Sequence, residues 1–250
     1  MRTMSVKTAL IVMGTCTLLA SCSPLAPQPD RSKFFILTPL ADGSAPFSTP
    51  AGGATSNSSL TIGIGPIDFP DYLRRLEVVT RASPNQLDLS AEKRWGEPLE
   101  KNFARVFSEN ISRLLNTQQI EKYPWPVRTH IDYQIEVNVQ RFETTSDGQS
   151  QLTARWVIKD GTGTDLYASE TSASAPVGTG ETGASAALSS DLATLSREVA
   201  ARVTELHRRQ AQVNTTDSFR VSDHSLRGYL LNRNSSRTTV LVSVSVLLCS

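Results

Sequence analysis

The stretch YQIEVNVQ, running from Tyr133 to Gln140, alternates apolar and polar side chains without a break. Successive side chains of a β-strand point to opposite faces, so this pattern predicts a strand with one buried face and one exposed face. Within this sequence the alternation is at its clearest here.

The next segments continue the sheet. Residues 152–158 carry Leu, Ala, Trp and Ile at every second position. The sequence Asp-Gly-Thr-Gly at 160–163 is typical of a tight turn, and residues 165–172 then return as the second arm of a hairpin.

Two segments change to helical spacing. Leu99, Phe103, Ile111 and Leu114 fall on one face of a helix predicted between Pro98 and Asn116. A longer helix is predicted over residues 184–209, where apolar side chains recur every three or four positions and two arginines close the pattern.

Upstream of the central stretch, four shorter strands are predicted at residues 34–37, 60–67, 76–81 and 86–89. Residues 41–59 are rich in Gly, Ser, Thr and Pro and are predicted to form a long loop. Strands in runs and two separate helices indicate an α+β fold: a single mixed, largely antiparallel sheet with two main helices packed on it.

The N-terminus has the features of an export signal. Arg2 and Lys7 precede an apolar run at residues 9–19, which is too short to span a bilayer. The run ends in Leu-Ala-Ser followed by Cys22, the order that lipoprotein processing requires. We predict a signal peptide at residues 1–21, acylation of Cys22 and a Pro-rich tether at 22–33. The alternative is a plain secretory signal with an incidental cysteine.

Composition excludes few partners. The formal net charge is +1, and charged residues make up 20% of the chain. The chain therefore has no excess of basic residues that would indicate a nucleic-acid partner. None of the three histidines has a second histidine or a cysteine at helical or strand spacing, and the sequence contains no known nucleophile, phosphate-binding or metal motif. We therefore predict no catalytic residue, no metal and no cofactor beyond the diacylglycerol and N-acyl chains, such as palmitate, on Cys22.

Several aromatic side chains lie in predicted loops or at the ends of elements. Phe69, Tyr72, Trp95, Tyr123 and Trp125 are the members of this set. Such residues either cap the edges of a core or form a surface for a partner or a lipid, and the sequence leaves both readings open.

The order of short motifs resembles one known family. The motifs are Ile64-Gly65-Pro66-Ile67, Pro70 to Arg75, Arg94-Trp95-x-Glu97-Pro98-Leu99, Tyr123-Pro124-Trp125 and Arg141-Phe142-Glu143. Together with the cysteine signal they resemble the ABC-type transport auxiliary lipoproteins, also called PqiC-like subunits, over roughly residues 20–210.

The resemblance implies a non-catalytic periplasmic lipoprotein on the inner face of the outer membrane. Ser23, which follows the acylated cysteine, also favours the outer membrane. The inner membrane is the less favoured location. The implied partners are a periplasmic MCE-domain protein and its inner-membrane transport proteins, in a lipid transport system that maintains membrane integrity. Self-association stays open.

Within that reading, a weak set of partner-binding residues is predicted: Tyr72, Leu73, Arg75, Trp95 and Trp125. The family domain is placed at residues 34–210, and 211–250 is predicted to be an atypical, disordered tail. Two other functions remain open at this stage: a lipoprotein that itself binds a hydrophobic ligand between sheet and helices, and a hydrolase of cell-wall or glycan substrates.

Overall fold

In the computed structural model, which describes residues 30–41 and 60–232, with side chains up to Val213, the chain forms an open, mixed eight-stranded sheet with two helices. This confirms the predicted α+β class. The strands are β1 (Lys33–Phe35), β2 (Ile62–Asp68), β3 (Glu77–Ser83), β4 (Gln86–Trp95), β5 (Ile120–Lys122), β6 (Tyr133–Thr145), β7 (Ser150–Asp160) and β8 (Asp165–Ala173). The helices are α1 (Leu99–Leu115) and α2 (Gly183–Asn232).

The sheet is organised around β6. One edge of β6 pairs along its length with β7, which pairs in turn with β8, and both ladders are antiparallel. The other edge is shared, because β2 pairs with the first half of β6 and β3 with its end, both in parallel. Beyond them lie β5 beside β2, and β4 with β1 beside β3. The loop between β2 and β3 therefore lies beside the middle of β6.

The predicted alternation of β6 is confirmed up to a bulge. Tyr133 and Ile135 are buried, and their ladder with β7 runs without interruption until the register shifts between Val139 and Arg141. A bulge inserts one residue and so reverses which positions face the core. Phe142 consequently turns inward, where its ring meets the edge of an α1 ring, while Glu143 turns to the other face.

Helix α1 follows the predicted pattern. Phe103 and Ile111 are fully buried, and the helix ends at Asn116 in a left-handed conformation with φ of 52°. Phe69, which follows β2, packs edge-on against Phe103 with ring centroids 5.2 Å apart. The two helices thereby cover one face of the sheet.

Helix α2 is longer than its apolar spacing predicted. It continues to Asn232, although the last large apolar side chain of the pattern is Leu206. Between Ala184 and Arg227 the sequence contains neither glycine nor proline, so nothing in it interrupts the helical backbone. The predicted disordered tail therefore overlaps a helical segment at 211–232, and residues 233–250 lie outside the described residues.

Three shorter elements also differ from expectation. Strand β1 ends at Phe35 rather than at residue 37, β4 extends to Trp95 instead of residue 89, and β5 had not been predicted. Strand β1 ends early because the chain leaves the sheet to cross both helices: the Thr38 N–H donates to Ser189 Oγ at 3.0 Å, and the Leu40 N–H to an α1 asparagine at 2.8 Å.

Candidate functional site

The loop between β2 and β3 carries exposed arginines and is held in place by a buried side chain. Residues Asp71–Leu73 form a 3₁₀ turn, and Leu73 is buried in the core. Arg74 and Arg75 are exposed, and Arg74 lies 3.7 Å from the carboxylate of Glu100 on α1. Buried Leu73 fixes the loop, so the two arginines project from a defined position.

A buried carboxylate joins this loop to the sheet. Glu143 is 1% exposed, and its Oε2 accepts a hydrogen bond from the Tyr72 hydroxyl at 2.6 Å. Its Oε1 accepts from Arg81 Nε of β3 at 2.6 Å and from Arg141 Nε at 3.3 Å. We call these four residues the Glu143 cluster. Because both carboxylate oxygens accept hydrogen bonds, the cluster holds the loop against the sheet.

The titration behaviour agrees with that role. Burial raises the pKa of Tyr72 well above its ordinary value, and the hydrogen bond to Glu143 raises it further. The hydrogen bond to Glu143 likewise raises the pKa of Arg81. At neutral pH the phenol therefore keeps its proton and the guanidinium keeps its charge, so the cluster stays intact.

An open cleft of about 700 Å³ lies beside the cluster. Tyr72, Arg81 and Arg141 line one part of it, and Ser83, Asp147 and Gln151 line another. Most lining residues have polar or charged side chains of both signs, but apolar atoms supply most of the lining surface. By contrast, the space lined by Phe35, Trp95 and Ser185, between the sheet and the start of α2, is only about 10 Å³. That is at the lower limit for one water molecule, so sheet and helix are closely packed at this point.

The predicted partner-binding residues do not form one surface. Tyr72, Leu73 and Arg75 share the loop, and Trp95 lies next to its end, where the Trp95 N–H donates to the Leu76 carbonyl at 2.6 Å. The side chains of Leu73 and Trp95 are buried, so of these four residues Arg75 is the most accessible.

Trp125 lies at the opposite end of β2. Its ring fits against Gly63, where an added Cβ would come within 3.0 Å of the ring, and it meets Tyr123 edge-on at 5.5 Å. Tyr123 itself is 57% exposed. Trp125 thus caps the edge of the core, while Tyr123 presents an aromatic surface.

Sequence reasoning missed Arg81, Arg141 and Glu143 as parts of the site. The signal was weak but present: Arg141 and Glu143 belong to one of the short family motifs, although no role was assigned to them. Without the bulge in β6, however, the alternation would place Glu143 among the core residues, so only the structure shows which face it occupies.

A second buried carboxylate lies in α2. Asp191 is 1% exposed, and its Oδ2 has no hydrogen-bond partner among the described residues. Burial raises its pKa to about 6, while the hydroxyl of Ser150 lowers it in part. The single proton of that hydroxyl is donated to the Ala175 carbonyl at 3.0 Å, so burial remains the main influence on the pKa of Asp191.

In residues 30–41 and 60–213, His, Cys, Asp and Glu side chains do not gather into a group of three suited to a metal ion. Neither described helix combines the length and apolar content needed to cross a bilayer.

Comparison with known proteins gives a family and a fold. Residues 43–200 match the family model described as "ABC-type transport auxiliary lipoprotein component". Comparison with curated proteins gives no match.

Solved structures share the fold at low identity. An uncharacterized protein is 19% identical with a TM-score of 0.51, over 58% of this chain and 92% of that one. A Xanthomonas campestris protein of the DUF330 family is 13% identical with a TM-score of 0.52, over 61% and 88%. The PelC dodecamer from Paraburkholderia phytofirmans is 11% identical over 61% of this chain and 91% of that one. Its TM-score of 0.34 is too low to establish a common fold.

Proposed function

The chain belongs to the ABC-type transport auxiliary lipoprotein family, and on that premise we propose that it is a non-catalytic, lipid-anchored docking subunit of an MCE-type lipid transport system. Acylated Cys22, which lies outside the described residues, holds it at the periplasmic face of the outer membrane. Its domain engages an MCE-domain protein whose transport partners are in the inner membrane.

The observation that carries the proposal is the loop between β2 and β3. The Glu143 cluster holds a charged loop against the sheet without leaving a free catalytic group there. A fixed loop loses little conformational entropy on binding, which favours an interface of modest size. Attachment to a membrane also raises the effective concentration of the partner, so a weak contact suffices.

The partner is tested by affinity purification of the full-length protein from detergent-solubilised membranes, with mass spectrometry of the proteins that co-elute. We expect an MCE-domain protein with the wild type and a severalfold loss with Arg75→Glu, because this change reverses an exposed charge of the loop. Arg208→Glu is the matched control, since Arg208 is an exposed arginine on α2. Recovery of no MCE-domain protein would refute the proposed partner, and equal recovery with Arg75→Glu would remove the loop from the interface.

The anchor is tested separately. Labelled palmitate should enter the wild type and not Cys22→Ala, and density fractionation of membranes should place the labelled protein with the outer membrane. Label in the Cys22→Ala protein would contradict the acylation site, and label in the inner-membrane fraction would contradict the location.

A further inference from the structure

The first strand carries an exposed apolar pair. Phe34 is 65% exposed and Ile36 is 53% exposed. Phe34 lies opposite Arg94 of β4, and Ile36 approaches Gly96, where an added Cβ would come within 3.3 Å of its methyl group. The residue between them, Phe35, is buried in the core. Phe34 and Ile36 therefore project from the face turned away from the helices. We call this pair the β1 apolar patch.

The patch is rigidly attached to the domain. Immediately after it, Leu37 is fully buried, and the N–H groups of Thr38 and Leu40 donate to α2 and α1 respectively. The chain that follows Ile36 is thus bonded to both helices. Any surface that holds the patch would consequently orient the whole domain.

Proximity to the anchor distinguishes this pair from other exposed apolar residues, which singly are ordinary. Phe34 is twelve residues from Cys22, 34 minus 22. At about 3.3–3.6 Å per residue, the intervening chain reaches at most about 40 Å. Such a tether keeps the patch at an effective concentration of about millimolar with respect to the bilayer, so that even weak affinity is sufficient.

The charges around the patch are compatible with a lipid headgroup layer. Arg31, three residues before Phe34, is exposed, and Arg94 lies opposite Phe34 on β4. Two carboxylates, Asp30 and Glu77, are also near, and Lys33 is already paired with Glu181. Arginine side chains next to apolar ones favour an anionic membrane surface.

We propose that the β1 apolar patch rests on the leaflet that holds acylated Cys22 and so fixes the orientation of the domain on the membrane. This inference depends on the lipid anchor of the proposed function, but not on the identity of any protein partner. It assigns Phe34 and Ile36 to the headgroup and acyl boundary, where apolar side chains gain most by leaving water.

The test uses the full-length lipidated protein in vesicles of phosphatidylethanolamine with a minor fraction of phosphatidylglycerol. A photo-crosslinking phenylalanine analogue replaces Phe34, Ile36 or, as the matched control, Leu166. Leu166 is 40% exposed on β8, at the opposite edge of the sheet. Flotation of the vesicles is measured first, and phospholipid adducts are then quantified by mass spectrometry.

We expect the protein to float and the adduct yield at positions 34 and 36 to exceed that at 166 severalfold. If the protein floats but the adduct yields are equal at all three positions, the proposed contact of the β1 apolar patch with the leaflet is refuted and the lipid anchor stands. Protein that does not float overturns both, because the patch depends on the tether. The same analogue in intact cells adds a second check: a protein adduct at position 34 in place of a lipid adduct assigns the surface to a protein partner and overturns the inference.

Discussion

Replacing Asp191 by asparagine should change the pH dependence of stability by an amount that follows from the structure. The side chain is 1% exposed, and burial raises its pKa from 3.8 to about 6. A shift of about two units corresponds to about 3 kcal/mol at 1.36 kcal/mol per unit. Ionised Asp191 therefore costs the folded state about that much.

The direction follows from the raised pKa. Above about pH 6 the folded protein carries the full cost of a buried carboxylate. As the pH falls through 6, Asp191 takes up a proton in the folded state before it does so in the unfolded state, so the cost diminishes and is gone well below pH 3.8. The Asp191→Asn protein has no such pH-dependent cost, since its amide does not titrate.

The pH dependence of the unfolding free energy is measured by urea titration at pH 4, 5, 6 and 7.5. The fluorescence of buried Trp95 and Trp156 reports unfolding. Relative to Asp191→Asn, the wild type should gain about 2 kcal/mol of unfolding free energy between pH 7.5 and pH 4, because part of the cost remains until the pH is well below 3.8. Any cost of burying the amide is the same at each pH and cancels. Asp71→Asn is the control, because the Asp71 side chain is 98% exposed and should leave the pH dependence of the wild type unchanged. If wild type and Asp191→Asn show parallel curves, the buried-carboxylate argument is wrong.

Three further changes test packing and hydrogen bonding. Tyr72→Phe removes the hydroxyl that donates to buried Glu143, and should lower the unfolding free energy by about 1–3 kcal/mol in urea titrations. Gly63→Ala places a methyl group against the Trp125 ring and should cost about 1–3 kcal/mol, measured as a lower melting temperature by circular dichroism. Asn110→Ala removes the acceptor for the N–H of the segment after β1, and should speed hydrogen exchange at residues 37–41.

Each of these changes has a matched control. Tyr123→Phe alters an exposed phenol and should leave stability within about 0.5 kcal/mol of the wild type. Gly178→Ala adds a methyl group where nothing lies within 4 Å, and Asn138→Ala removes an exposed amide. If the control variants change stability or hydrogen exchange as much as the test variants do, the effects are not specific to the contacts named.

Local periodicity predicted most of the elements but not their full extent. The alternation at Tyr133–Gln140 and the spacing from Leu99 to Leu114 depend only on which face of one element is buried, and both are confirmed. The ends of β4 and α2 were misplaced, because the exposed positions of β4 and the sequence of α2 beyond Leu206 lack a regular apolar pattern. The candidate loop was recognised from the family motif at Pro70–Arg75. Glu143 belonged to a second family motif, but its role in holding the loop was not recognised.

What the sequence by itself determined is therefore local: two helices, the central strands, and the export and acylation signal ending at Cys22, which stays a prediction. What only the tertiary structure decided is how distant segments meet. Parallel pairing of β2 and β3 with β6, and the bulge that turns Glu143 toward Tyr72 and Arg81, bring together residues more than sixty positions apart. The physical reason is that periodicity reports burial of one face, while pairing direction and charge contacts depend on the packing of the whole chain.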